Sequence, residues 1–277
     1  MRRVYGYCCT LLLVGGLVDG GALADVGNAA GPVSTNSEHF VGVVDNLFIN
    51  GAAGVEGPPG EGSTGFGLLG ANWGIPLTQP DGVALGLQLA ASGKLRDNDP
   101  EGNFTFGGFG RNFPTLADQQ GAAALLVDYQ RTALHHDVWD LRPIIGTTVT
   151  RQDGVGAEGV AQLNTDRGQS MVSEFTFFWT RDWADDLATE FGLGYQFSHV
   201  DEALLRGRLA VGVTSYIDMG IGGDLNTNGD YAFGVTASYH FGGTGRHAFL
   251  HNIGGSGAGL YTPFPDASFP SILHRTR

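Results

Sequence analysis

Between Tyr231 and Phe241, large and small side chains take strict turns. Tyr231, Phe233, Val235, Ala237, Tyr239 and Phe241 fall on one parity, and Ala232, Gly234, Thr236, Ser238 and His240 on the other. A helix groups residues three and four apart and cannot place i and i+2 on one face, so this segment is an extended strand with an apolar side and a small, polar side. The same parity recurs upstream. Val83, Leu85, Leu87 and Leu89 oppose Ala84, Gly86, Gln88 and Ala90; Trp139, Leu141, Ile145 and Val149 oppose Asp140, Arg142, Gly146 and Thr150; Phe191, Leu193, Tyr195 and Phe197 oppose Glu190, Gly192, Gly194 and Gln196. A longer run, Leu205, Leu209, Val211, Val213 and Ile217, opposes Arg206, Arg208, Gly212, Thr214 and Asp218. Shorter versions cover Leu47 to Val55, Ala71 to Leu77, Ala123 to Tyr129 and Phe175 to Trp179. Parity slips around Gly107 to Arg111, as at a bulge, and Val155 to Leu163 is weakly apolar.

Gln79-Pro80-Asp81-Gly82, Asp97 to Gly102 and Asn226-Thr227-Asn228-Gly229 supply turn residues between these segments. The pattern predicts an all-β chain of about 10 to 12 antiparallel strands joined as hairpins. No linker divides it.

Period two alone does not say whether the apolar face meets a second sheet or lipid, so the other face must decide. In a secreted sandwich that face meets bulk water and is rich in Thr, Lys and Glu. Here it is mostly Gly, Ala, Ser and Thr, in a chain with 46 Gly and one lysine, Lys94. Small residues of this kind suit a narrow enclosed interior that accommodates a few long polar side chains. On the apolar face, Trp73, Trp139, Trp179, Tyr129, Tyr195, Tyr231, Tyr239 and Phe241 sit near segment ends, where membrane barrels carry interfacial girdles. The expectation is an antiparallel up-and-down transmembrane β-barrel over residues 45–241, with outer-membrane lipid as its first partner. A net charge of −13 without a basic cluster excludes a nucleic-acid partner, and 42% hydrophobic content excludes a disordered chain.

The amino terminus carries Arg2 and Arg3, an uncharged stretch from Tyr7 to Val18, and small residues at Ala22-Leu23-Ala24. That is the form of a cleaved secretory signal over residues 1–24, too short in its apolar part to span a bilayer as a helix. Both cysteines, Cys8 and Cys9, fall within it, so the processed chain has neither disulfides nor thiolate metal sites. Residues 25–44 form a lead-in. Residues 242–277, with four glycines between Gly254 and Gly259 and three prolines, read as an irregular tail.

The terminal strand Tyr231 to Phe241 resembles the closing strand of bacterial outer-membrane β-barrel proteins, whose assembly signal ends in an aromatic residue. Gly65 to Pro76, Glu101 to Arg111 and Val127-Asp128-Tyr129-Gln130-Arg131 with His135-His136 are similar to strands of inverse-autotransporter-like and uncharacterised outer-membrane barrels. This resemblance implies a porin-like protein of the bacterial outer membrane, small solutes as possible cargo, and insertion by the barrel-assembly machinery. It departs from the pattern in the tail after Phe241, and it carries over no catalytic residue.

With the even-numbered face inward, the lumen contains Asp128, Asp140, Glu174, Glu190 and Asp218 against Lys94, Arg142, Arg206 and Arg208. These charges nearly balance. They form either a paired network that stiffens a filled interior or a constriction that selects solutes. Arg206 and Arg208, two apart on one face, are the candidates for attracting an anion.

No enzyme is expected. A membrane phospholipase needs Ser and His together on the lipid face. Hairpin pairing places Ser173 near Leu193 and Ser215 near Tyr239, with His199 out of register with both. His135, His136 and Asp137 are a loop triplet of the kind that is usually solvated surface. Asp224-Leu-Asn226-Thr-Asn228-Gly229 and Asp97 to Gly102 are partial calcium-loop patterns that lack the twelfth-position Glu and double as ordinary turns, so no cofactor or metal is expected. The function expected is a porin-like or structural barrel with a small or plugged polar lumen. The alternatives are a barrel anchor for adhesion or export, and a secreted soluble β-sheet binding protein.

Overall fold

The computed structural model describes residues 47–241 apart from loop residues 58–61, 79–83, 97–98, 115–119, 132–136, 165–170 and 198–201 and the single positions 151, 185 and 215. The chain divides into two units, Met1–Glu38 and His39–Arg277, and every described residue belongs to the second. The proposed signal, the lead-in and the tail lie outside the described residues.

Twelve strands follow one another: β1 (Leu47–Gly57), β2 (Thr64–Thr78), β3 (Ala84–Arg96), β4 (Asp99–Pro114), β5 (Gln120–Arg131), β6 (Asp137–Thr148), β7 (Asp153–Asn164), β8 (Met171–Ala184), β9 (Leu187–Phe197), β10 (Glu202–Gly212), β11 (Ile217–Asn226) and β12 (Tyr231–His240). Each pairs antiparallel with its sequence neighbours, and β1 pairs with β12 from Phe48 opposite His240 to Gly57 opposite Tyr231, which closes the barrel. Closure satisfies every ladder and leaves no edge, as hydrocarbon requires. Following paired residues once round from Phe48 returns to β1 about 14 residues further on, which with twelve strands gives a tilt of about 40° and a backbone radius of about 12 Å.

The rim where β1 begins and β12 ends is called here the near rim, and the opposite one the far rim. Inter-strand connections have two to six residues. Tight turns hold several of them. The Thr214 hydroxyl accepts from the amides of Tyr216 and Ile217 at 3.1 and 3.0 Å, and Thr150 caps Asp153 in the same way at 2.9 Å. Gly229, with φ 87°, completes the β11–β12 turn in a conformation that suits glycine.

Three expectations are corrected here. The run from Leu205 to Ile217 is two strands: a four-residue turn between β10 and β11 preserves parity, so alternation passed through it unbroken. Ser173 pairs with Phe197 instead of lying near Leu193, because β8 runs on to Ala184 and returns within two residues to Leu187. Around Gly107 the slip has two sources. The two-residue β3–β4 connection pairs Arg96 with Asp99, so β4 turns odd-numbered residues inward, and the register shifts again between Arg111 and Phe113.

Inside, β4 apart, even-numbered residues form the core. Three inward phenylalanines each lie over a glycine on a neighbouring strand. A Cβ on Gly156 would stand 2.2 Å from Phe178 Cζ, and one on Gly86 2.3 Å from Phe109 Cζ; Phe66 lies across the closing seam, where a Cβ on Gly54 would stand 2.8 Å from its Cζ. Glycine there is the socket an aromatic ring fills, which gives the small-residue face a packing role.

Candidate functional site in the barrel interior

Alternation at a closed sheet sends one set of side chains to the outside and the other into a cylinder about 24 Å across its backbone. The outer set is apolar. Leu69, Leu125, Ile145, Phe177, Leu193, Ile221 and Val235 are each more than half exposed. Aromatics bracket this band: Tyr129, Trp139, Tyr195 and Tyr231 toward the far rim, Trp73, Trp179, Tyr239 and Phe241 toward the near rim, with Tyr129 and Trp139 4.9 Å apart between ring centroids. A soluble protein does not expose so continuous an apolar surface; a lipid-facing wall does.

The inner set is charged. Lys94, Asp128, Asp140, Arg142, Glu174, Glu190, Arg206, Arg208 and Asp218 all lie on the inward face, each 6% exposed or less. The near balance of charge expected from sequence is not found. Among the described residues, Glu56, Glu158 and Asp224 are buried with them, so eight carboxylates face four basic side chains. Glu158 lies in a weakly apolar stretch whose parity the sequence does not show, Glu56 sits one residue past the alternating segment, and Asp224 reads as part of a turn. His240 had the right parity and no visible partner.

The charges are organised as a chain of pairs. Arg142 grips Asp128 through two bonds, Nε to Oδ2 and Nη2 to Oδ1, both 3.0 Å, and Thr105 donates to the same carboxylate at 2.5 Å. The other edge of Arg142 lies 3.6 Å from Glu158. Glu158 also receives Arg206 Nη1 at 3.1 Å, and Arg206 Nε meets Asp224 at 3.1 Å with Glu174 at 3.9 Å. Asp128, Arg142, Glu158, Arg206 and Asp224 thus form one continuous line from β5 through β6, β7 and β10 to β11. β7 and β10 stand a quarter of the circumference apart, a chord of about 17 Å in a barrel of this radius, so the Arg206–Glu158 contact cuts across the lumen. Arg208 faces Glu190 at 3.4 Å, and Lys94 meets Glu56 at 2.9 Å with its ammonium 5.0 Å from the Phe66 ring. At the near rim His240 contacts Asp218 at 2.6 Å and stacks on Phe48 with centroids 5.3 Å apart, joining β11, β12 and β1.

Two apolar clusters line the interior on either side of this line of charges. Ala52, Phe66, Leu68, Leu204 and Ala232 form a cluster toward the far rim, and Phe109, Ala122, Ala124, Leu126, Ile144 and Phe178 one toward the near rim.

The remaining candidates disperse. Asp224 turns inward to Arg206 instead of opening a calcium loop, and Asn226 donates to Glu202 and to Asp230. The Asp137 carboxylate accepts the Tyr129 hydroxyl at 2.8 Å; His135, His136, His199, Ser215 and Asp97 lie outside the described residues.

Solved structures with this architecture are outer-membrane barrels. The KdgM porin matches with a TM-score of 0.51 at 9% identity, over 70% of this chain and 99% of that one. This chain has the fold of an outer-membrane porin. The NanC porin matches at 0.52 and 8% identity over 69% and 98%, and an outer-membrane channel of Pseudomonas putida F1 at 0.51 and 12% over 70% and 95%. The KdgM porin has also been solved in complex with disordered oligogalacturonate. No protein-family model and no curated protein matches the chain.

Proposed function

We propose that this chain is a structural, porin-like barrel of the bacterial outer membrane, delivered by a signal over residues 1–24 and closed to ordinary solutes by its own side chains. The observation that carries the reading is the Arg206–Glu158 contact across the lumen. It belongs to a continuous line of buried charges bracketed by two apolar clusters. In a wide pore, inward charged groups remain in water. Here most of them are paired and all are almost wholly buried, as in a packed interior. The wall contributes lipid solubility, and the interior contributes rigidity and register. The barrel's partners on this reading are outer-membrane lipid, the assembly machinery that inserts it, and at most the smallest solutes.

Liposome swelling tests the reading. Purified protein in vesicles should admit arabinose no faster than protein-free vesicles do, whereas Arg206→Ala combined with Glu158→Ala removes the cross-lumen contact at constant net charge and should raise the rate. Unmodified protein that swells vesicles as a general diffusion porin does overturns it.

A further inference from the structure

Charges of opposite sign are not mixed at random along this interior. Arg142, Arg206 and Arg208 occupy its middle. On the far-rim side, Asp140 stands two residues beyond Arg142 on β6, Glu174 on β8 and Asp224 on β11 lie level with or beyond Arg206, and Glu56 stands higher still on β1. On the near-rim side come Glu190, paired with Arg208, and then Asp218. Among the side chains the structure describes, the carboxylates lie nearer both mouths than the guanidiniums do.

The three guanidiniums described there are moreover occupied: Arg142 by Asp128 and Glu158, Arg206 by Glu158, Asp224 and Glu174, Arg208 by Glu190. The carboxylates are in surplus. Asp140 is directly opposite Asp128 in the β5–β6 ladder, is 4% exposed, and its Oδ1 has no hydrogen-bond partner. Like charges facing each other across a ladder cost stability, and an unpartnered carboxylate oxygen inside a low-dielectric cylinder attracts a cation.

We infer that the interior is selective for small monovalent cations and rejects anions, with Asp140 and Glu174 as the residues that set the preference. This rests on the closed-barrel reading and reverses the anion-attracting role that the spacing of Arg206 and Arg208 suggests. It also separates this lumen from one suited to an acidic sugar polymer, which would need guanidiniums or ammoniums presented to the ligand.

The test is the reversal potential in planar bilayers under a tenfold KCl gradient. Three proteins are measured: the unmodified chain, Arg206→Ala with Glu158→Ala, and Lys94→Ala with Glu56→Ala, each pair removing one charge of each sign. Potassium should be preferred over chloride several-fold in every protein that conducts, and adding Asp140→Asn with Glu174→Gln should bring the ratio close to one. Chloride preference, a ratio unmoved by the two neutral substitutions, or no current in any of the three proteins overturns the inference. A barrel whose unmodified form passes sugars refutes the closed reading alone, since its ion preference is still read from the same gradient.

Discussion

Gly156 offers a measurement of how far the glycine excess is a packing requirement. A Cβ built there meets Phe178 Cζ at 2.2 Å, Phe178 Cε2 at 2.6 Å and the backbone carbonyl oxygen of Ile145 at 2.5 Å. The ring could swing aside, but the carbonyl belongs to the β6–β7 ladder, in which Ile145 is directly opposite Ala157, and cannot retreat without opening it. Forcing a methyl into a filled site costs about 1–3 kcal/mol, so Gly156→Ala should cost about 2 kcal/mol, or about 30-fold in the folding equilibrium. Gly67 is the control: it faces outward on β2 with no atom within 4 Å of an added Cβ, and Gly67→Ala should change stability by no more than about 0.5 kcal/mol. Urea titration in lipid vesicles, followed by tryptophan fluorescence, compares the two midpoints. Phe178→Leu added to Gly156→Ala should recover only part of the loss, because the carbonyl clash remains. Equal midpoints for the two alanine variants would refute the idea that inward glycines are sockets.

Three further outcomes follow from the interior charges and the girdles. Arg206→Met strands Asp224 in a buried setting and leaves Glu158 without one of its two arginines, which should cost about 3–5 kcal/mol, whereas adding Glu158→Gln and Asp224→Asn should restore much of it, since removing one partner of a buried pair is worse than removing both. His240→Ala removes both the contact with Asp218 and the stack on Phe48 at the closing seam, and it should lower the temperature at which the folded, faster-migrating band disappears on a gel. Tryptophan fluorescence should be quenched more by lipids brominated near the headgroup than at the chain end, because Trp73, Trp139 and Trp179 lie at the edges of the apolar band; stronger quenching from the bilayer centre would contradict the girdle assignment.

Strand content and orientation were legible wherever alternation was unbroken. Tyr231 to Phe241 could be nothing else, and nine charged positions placed inward by parity are all buried on the inner face. What escaped the sequence was long-range. Glu158 meets Arg206 across 48 residues, and no local pattern announces a chord of a cylinder. Strand ends were blurred for a local reason: the four-residue turn at Thr214 keeps parity, so β10 and β11 read as one. Phe109 shows the opposite failure. It breaks the apolar-outward rule because its ring fills the space over Gly86, and that exchange of a large side chain for a small one on the next strand reads as noise until the strands are paired.

The polar interior also answers a question that the apolar wall raises. A strand bathed in lipid on one face has no solvent to tell one register from the next, and a slip by one residue exchanges its two faces. In this barrel such a slip in β10 would push Arg206 and Arg208 into hydrocarbon and draw Leu205 and Leu209 inward. Each misplaced arginine costs about 2–4 kcal/mol at the bilayer midplane, and the carboxylates left behind on β7, β9 and β11 lose their partners besides. A slip of β10 by two keeps the faces but breaks the contacts of Arg206 with Glu158 and Asp224 together. Buried ion pairs are poor contributors to net stability when set against apolar packing. In a closed twelve-stranded ladder their value is that only one register pairs them all.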